Sequence, residues 1–574
     1  MKRTATFSLL LTALLTALFC AGIVWADYQA AAPSVTPLSK YVPAGPLLYL
    51  EAKDFSSLLA DWNSSPQKKQ WVKSSNYEIF SRSRLFLRLD GAGDQFAAAA
   101  GLPPDMNFLS QVAGTRSAVA LYDIGNLQFL YITYLPSAKS MQTTLWQTRA
   151  KFEPRSAGGV DFYLRRDPES HKEVAFAVSG DYLLLATRED LMAGALQLMS
   201  GSQNRTVESE QWWSQSVDSA RALGDLRLVL NLEKIVPSPY FRTYWVQQNI
   251  TDLTQYAAAV SDLFRSDQQY REERVLIRKA PPAAAPSVDG LEAAADLVRL
   301  APDGAGVYEA KANPSADSCR DLLETKLLAP HLGPAPPSQI APQVQLTSGE
   351  TGGGSDMETR IDQPPVQRPV TPQNTTALKE LLDKTQILAS LQVQSTERDK
   401  AGVFVRIHSA VVLAASSDWN EASIQSALAE FVRPGLTASQ LGVTWQQKSG
   451  YQEFDGLWPL AASVRGKYLL VSDDPNLIAA MLSNFNRKSD VKPVVFVAGL
   501  NHSRERANFA RFSDVVDRPN SAQSNVPGME RQPQFFSENM ASLSSTLAGV
   551  STERITVRTE GDRTLQTVTY EWLQ

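Results

Sequence analysis

Only two cysteines and four histidines occur in 574 residues. So few cysteines exclude a disulfide-built scaffold, and so few histidines leave little room for a histidine metal site. Cys20 lies in an apolar leader, so Cys319 has no partner in the rest of the chain and reads as a small buried apolar residue. A basic excess is missing too: 55 Lys and Arg stand against 60 Asp and Glu, a formal charge of −5. Nucleic-acid binders carry a basic stripe, so no nucleic-acid partner is expected.

Local catalytic signatures are also missing. There is no HExxH, no GxxxxGK[ST], no GxGxxG after a strand and no GxSxG. Ser65-Pro66-Gln67-Lys68 has SxxK spacing and Lys448-Ser449-Gly450 faintly echoes KTG, but the SDN element between them is lacking. His171, His331, His408 and His502 are scattered, and His331 falls in linker sequence. The acidic pairs Glu189–Asp190 and Asp473–Asp474 read as helix-start chemistry, with Thr187 and Ser472 as capping candidates. Trp212-Trp213 reads as core. Arg504, Arg506 and Arg511 beside His502, and Arg271-Glu272-Glu273-Arg274, read as solvated faces. No residue is assigned as catalytic, cofactor-binding or metal-ligating, and no cofactor is expected.

What is present begins at the N-terminus. Lys2 and Arg3 precede a run from Thr4 to Ala26 with no charged side chain. About 20 apolar residues span a bilayer as a helix, so residues 1–26 read as a signal anchor. Val24-Trp25-Ala26 ends in a small residue, which leaves a cleaved signal peptide open. Either way the two cations stay inside and the rest of the chain is carried across. The expected location is an inner membrane with a periplasmic domain, or the periplasm if the leader is cut.

A chain of this length exceeds one core, and an internal repeat shows how it divides. Residues 180–196, GDYLLLATREDLMAGAL, match 466–482, GKYLLVSDDPNLIAAML, at seven of 17 ungapped positions. SAVALYD at 117–123 pairs with SAVVLAA at 409–415, and PAGPLLYLEAK at 43–53 with PDGAGVYEAK at 302–311, in the same order. Each copy of the first match reads as a turn glycine, a strand and an amphipathic helix. Further strands are expected at 47–52, 117–122, 127–134, 173–179, 226–232, 403–413, 459–465 and 493–498. Helices are expected at 137–150, 188–199, 240–266, 377–392, 419–431 and 502–516. Short turns between strands favour antiparallel pairing, so the fold class is α+β: two similar domains, 40–278 and 299–574, with helices packed on largely antiparallel sheets. Residues 279–298, Pro/Ala-rich at their start, read as the linker, and the Pro/Gly-rich 329–376 as a flexible interruption of the second copy. The end, ITVRTEGDRTLQTVTYEW, reads as two strands around Gly561-Asp562.

The leader, VPAGPLLYLEAKDF at 42–55 and GDYLLLATREDL at 180–191 together resemble bacterial envelope proteins built from a duplicated domain of unknown function. The resemblance spans most of 40–574 and brings no catalytic residues with it. It implies an envelope protein partner, which for some similar proteins is an α2-macroglobulin-like protein encoded alongside. The function expected is membrane-tethered binding or scaffolding, with the membrane contacted through residues 4–26. The alternative is a hydrolytic enzyme whose site is assembled from distant residues.

Overall fold

The structure is a computed structural model that describes residues 36–572 apart from 74–76, 78–80, 83, 221, 240–252, 267, 283–284, 329–375, 399–404, 437–443, 455–459 and 509–548. The leader, His331, Arg511, the segment 329–375 and the expected helix beyond residue 508 therefore lie outside the described residues. Among those described, no helix is long and apolar enough to cross a membrane. The chain forms two compact units, Met1–Pro282 with Phe509–Arg554 and Thr559–Gln574, and Ala283–Asn508 with Ile555–Arg558.

The first unit runs β1 (Leu48–Ala52), α1 (Phe55–Ser64), α2 (Pro66–Val72), α3 (Arg84–Ala100), α4 (Met106–Val112), β2 (Ser117–Asp123), β3 (Gln128–Tyr134), β4 (Glu153–Ala157), β5 (Val160–Arg166), β6 (Glu173–Ser179), β7 (Tyr182–Ala186), α5 (Glu189–Met199), α6 (Gln211–Val217), β8 (Leu226–Leu230), β9 (Tyr256–Arg265) and β10 (Gln269–Arg278). The second runs α7 (Val288–Leu297), β11 (Val307–Ala312), α8 (Ala316–Leu323), α9 (Thr376–Lys384), β12 (Ile387–Arg398), β13 (Val405–Ala415), α10 (Glu421–Leu436), β14 (Trp445–Gln447), β15 (Gln452–Phe454), β16 (Leu460–Arg465), β17 (Tyr468–Ser472), α11 (Pro475–Ser483) and β18 (Phe496–Asn501). A hairpin of β19 (Val550–Glu560) and β20 (Arg563–Trp572) ends the chain.

The same strand order recurs in the two units. Pairing in the first unit is β4-β5-β6-β7-β3-β2-β1-β8, continued by β9, β10 and β20. In the second it is β14-β15-β16-β17-β13-β12-β11-β18. All these pairs are antiparallel, and the eight positions correspond one to one. β7 enters α5 as β17 enters α11, so the strongest sequence match joins equivalent strands, and the match at 43–53 joins β1 to β11. The match of 117–123 to 409–415 does not: it sets β2 against β13, whose counterpart by pairing is β3. Both segments open Ser-Ala-Val at a buried serine, a local likeness without equivalence in pairing.

Each sheet is covered on both faces. On one face of the first unit, Ala118, Ala120, Leu130, Ile132, Leu184 and Ala186 pack with Leu191, Met192 and Leu196 of α5. On the other, Tyr131, Leu183, Leu185 and Phe176 pack with Phe96 and Ala99 of α3 and Phe108 of α4. The second unit repeats this with Leu391, Val412 and Leu470 against α7 and α11, and Val411, Leu413, Leu469 and Val471 against α8, α9 and α10. Coverage of both faces is why Leu183-Leu184-Leu185 is a continuous apolar run instead of an alternating one. Cys319 sits inside the second core, 1 % exposed.

Four expectations are corrected. Residues 279–298 are not all linker: 288–297 form α7, capped where Ser287 Oγ accepts the Gly290 N–H at 3.1 Å, with Ala294, Ala295 and Leu297 buried. Alanine is the strongest helix former, so a composition read as spacer turns structural once apolar positions recur at helical spacing. Residues 256–265, placed in a helix, form β9, because pairing with β8 and β10 overrides the helix propensity of three consecutive alanines. The helix expected over 377–392 ends at Lys384, and β12 starts at Ile387. The second domain does not run to 574, since β20 pairs with β10 from Gln269↔Glu571 to Ile277↔Arg563 and belongs to the first unit.

Gly180 and Gly466 close the equivalent hairpins β6–β7 and β16–β17 at φ +55° and +57°. A Cβ on Gly180 would meet nothing within 4 Å, so its cost is backbone conformation alone. Gly180→Ala is expected to lower stability by about 1 kcal/mol and Gly180→Asn by less, read from urea-unfolding midpoints. An alanine variant as stable as wild type would show that this turn does not need the left-handed conformation.

Candidate functional site

The corner where β7 enters α5, and its counterpart where β17 enters α11, concentrate the polar chemistry of the two units. The backbone geometry is the same in both. Leu130 lies opposite Ala186 and Ala410 opposite Ser472, which puts Phe129 and Ser409 in equivalent places. The Thr187 N–H donates to the Phe129 carbonyl, and the Asp473 N–H to the Ser409 carbonyl, both at 3.1 Å. In return Thr187 Oγ1 accepts the Phe129 N–H at 2.8 Å, and Asp473 Oδ1 accepts the Ser409 N–H at 2.7 Å. The side chain after the strand thus clamps the neighbouring strand in each copy.

One position further out, the copies diverge in chemistry while keeping the contact. In the first unit Arg188 Nη1 donates to Gln128 Oε1 at 3.0 Å, and its Nε to Asp190 Oδ1 at 2.8 Å. In the second, His408 stands where Gln128 does and Asp474 where Arg188 does, with His408 Nδ1 3.9 Å from Asp474 Oδ2. His408 Nε2 lies 3.4 Å from Glu397 Oε2 of β12. That nitrogen is buried and has no hydrogen-bond partner. Burial pushes the Asp473 carboxyl up to about 6, against the lowering effects of the Ser409 N–H and the His408 charge.

The first corner also borders a pocket of about 640 Å³. Its walls are α3, the β2–β3 turn, the β5–β6 turn and the start of α5. Phe96, Ala99 and Val174 form a buried apolar floor, and Phe129 is half-buried above it. The rim is ionic. Glu173 accepts from Arg166 Nε at 3.0 Å and from the Glu189 N–H at 2.9 Å. Glu189 Oε1 lies 3.5 Å from Arg155. Lys172 donates to the side-chain oxygen of Asn126 at 3.3 Å. Leu127 and His171, on the two turns, hold φ of +49° and +55°.

The sequence candidates fare as follows. Glu189 and Asp190 are at this rim, each beside an arginine, and Asp473 and Asp474 form the second corner. Asp474 is the N-cap of α11, accepting the Asn476 N–H at 2.9 Å, whereas the N-cap of α5 is Arg188 and Thr187 does not cap it. Ser65 Oγ donates to the Trp62 carbonyl and accepts the Lys68 N–H, while the Lys68 ammonium goes to Asn63, so the SxxK residues form a helix start. Trp213 is buried edge-on against Tyr49, ring centres 4.8 Å apart. Burial pushes the Cys319 thiol up to about 12, which keeps it protonated. Arg504 turns inward, to the Gly304 carbonyl and Ser395 Oγ. Glu272, read as surface, is 5 % exposed and bonded to Arg274 and Ser261, because β10 is flanked by β9 and β20. Among the described residues no group of three or more His, Cys, Asp or Glu is placed to hold a metal ion.

Gln128 and His408 were missed as site residues. Their equivalence depends on the pairing of β3 and β13, which the sequence match had shifted by one strand.

No known protein family and no curated protein matches the chain. Solved structures similar to it include crystal form I of TP0453, with 12% identity over 45% of this chain and 83% of that one, and crystal form IV, with 11% identity over 42% and 81%. Both have a TM-score of 0.23, and a likeness at that level assigns neither fold nor function.

Asp473 binds its proton more tightly folded than unfolded, where 3.8 is the ordinary value. The native state therefore holds the extra proton between pH 4 and 6, and stability falls as pH rises through that window. Asp473→Asn keeps an oxygen for the Ser409 N–H and removes the titration. The variant is expected to match wild type near pH 4 and to exceed it by roughly 3 kcal/mol at pH 7, taking about 1.4 kcal/mol per pKa unit. Urea unfolding across that range checks it, and a difference that does not vary with pH would show that Asp473 is not the titrating group.

Proposed function

We propose that the protein is a tandem binding module of the bacterial envelope, tethered through residues 4–26, which works by non-covalent contact with an envelope protein partner. The observation that carries this is the recurrence of one corner in both units, with the same backbone bonds and different side chains beside them. Half-buried Arg188 and Gln128 hold these positions in one copy, and half-buried Asp474 and His408 in the other. A duplicated framework with diverged recognition chemistry supports two related binding surfaces, which gain avidity when one partner engages both. The charge-free leader and the resemblance to envelope proteins of duplicated build support the location. That resemblance also nominates an α2-macroglobulin-like protein as the partner.

A hydrolytic reading draws on one feature, the raised Asp473 carboxyl beside His408 and Glu397, since active sites gather perturbed titratable groups. Against it, the nearest hydroxyl groups are committed to structure: Ser472 Oγ donates to the Ser409 carbonyl at 2.9 Å, and Ser409 Oγ receives Gln394 Nε2 at 3.3 Å.

Capture by the tagged full-length protein from solubilised membranes is the deciding measurement. A defined envelope protein is expected to co-purify, with Arg188→Glu and His408→Ala each weakening capture several-fold while circular dichroism stays unchanged. Substrate turnover by purified protein, abolished by Asp473→Asn, would overturn the reading.

A further inference from the structure

The pocket beside the first corner has an apolar floor and one rim cation that no described carboxylate pairs with. Glu173 is engaged by Arg166, Asp190 by Arg188, and Glu189 lies beside Arg155. Arg188 is in turn occupied by Asp190 and Gln128. Lys172 differs. Its ammonium, at an exposed position on a half-buried residue, has one partner among the described residues, the neutral amide oxygen of Asn126. Among the described residues no carboxylate lies within ion-pair distance of it; the Asp123 carboxylate feels its charge and accepts from the Asn126 backbone and side-chain N–H groups at 3.0 and 2.9 Å. Phe96 and Phe129 line the same space.

The two turns that hold this arrangement are strained. Leu127 and His171 are two of the three non-glycine residues at positive φ among those described, and both line the pocket. Left-handed backbone costs a branched or bulky residue about 1–2 kcal/mol, and such strain gathers at ligand clamps. Here it is maintained by local bonds: Asp123 holds the Asn126 N–H, and Asp167 holds the Ser170 N–H at 2.7 Å. The backbone that carries Lys172 is thereby held at the rim before any ligand arrives.

Resting on the binding-module reading, we propose that this pocket takes a monocarboxylate with an apolar body, its carboxylate on the Lys172 ammonium and its body against Phe96 and Phe129. A cavity of about 640 Å³ suits a ligand the size of an arylalkanoic acid or the last residues of a peptide. Both offer the same chemistry, a carboxylate beside an apolar group.

The experiment titrates the full-length protein with four probes by ligand-observed NMR: 3-phenylpropionate, its primary amide, a short peptide ending in a free Phe carboxylate, and the same peptide amidated. At least one acid is expected to bind at least tenfold more tightly than its amide, and Lys172→Gln to remove that preference while leaving the unfolding midpoint unchanged. Binding by 3-phenylpropionate identifies a free small acid as sufficient, and binding by the free-carboxylate peptide alone identifies a chain terminus; either supports the assignment. Acid and amide binding equally, no probe binding at all, or a preference that survives Lys172→Gln each overturns it. The partner-capture measurement is independent, so loss of the pocket assignment leaves the module reading to its own test.

Discussion

Coverage of each sheet on both faces is the constraint from which most of this structure follows. A strand with helices above and below has no solvent side on which to place a polar group, so each buried charge must find its partner within the sheet. In the first unit Glu51 receives Tyr49 Oη at 2.9 Å and Arg116 Nε at 2.6 Å, and Asp262 receives Arg227 and the Gly224 N–H, each at 2.8 Å. Glu272 meets Arg274 and Ser261. Glu51 lies on β1, and Asp262 and Glu272 on the buried side of β9 and β10, whose other side is only partly covered. Such pairs add little net stability, yet removal of one partner leaves an uncompensated charge, which costs several kcal/mol. They fix register where leucine and alanine alone would tolerate slippage.

The same constraint explains which features could be read from the residues. Turn glycines, the Leu183-Leu184-Leu185 run and the α5 pattern are local, and the strand–turn–helix unit around them was legible in both copies. The α+β class followed from short turns between strands. Segments whose state is set by neighbours were not legible: Tyr256–Arg265 carries an alanine-rich pattern and becomes a strand only between β8 and β10. The order of the central strands was lost for a related reason. Central strands buried on both faces use the same few small and branched residues, so Ser117–Asp123 resembles Ser409–Ala415 without being its counterpart.

The site was hidden more deeply than the fold. Thr187 and Asp473, or Gln128 and His408, share no chemistry that an alignment would score, and what they share is a position beside a backbone N–H or at a strand end. Preserved backbone bonds with substituted side chains are what a recurring framework allows once its core is secure. The pocket needed four separate segments to close it, among them two turns whose left-handed residues, Leu127 and His171, are not the glycine or asparagine that turn chemistry anticipates.

The pairing of β20 with β10 has a bearing on how the chain is made. Ribosomes deliver the N-terminal portion first, and domains commonly fold as they emerge. Here the first unit's sheet waits for its outer strand until residues 563–572 have been synthesised, nearly 300 positions after β10. During that interval β10 presents an open edge with unpaired backbone donors and acceptors, the kind of edge that recruits foreign strands. Its alternating Arg271, Glu273 and Arg274 charges oppose such pairing, and a chaperone that binds extended polypeptide would find its substrate in the nascent first unit and not in the finished protein.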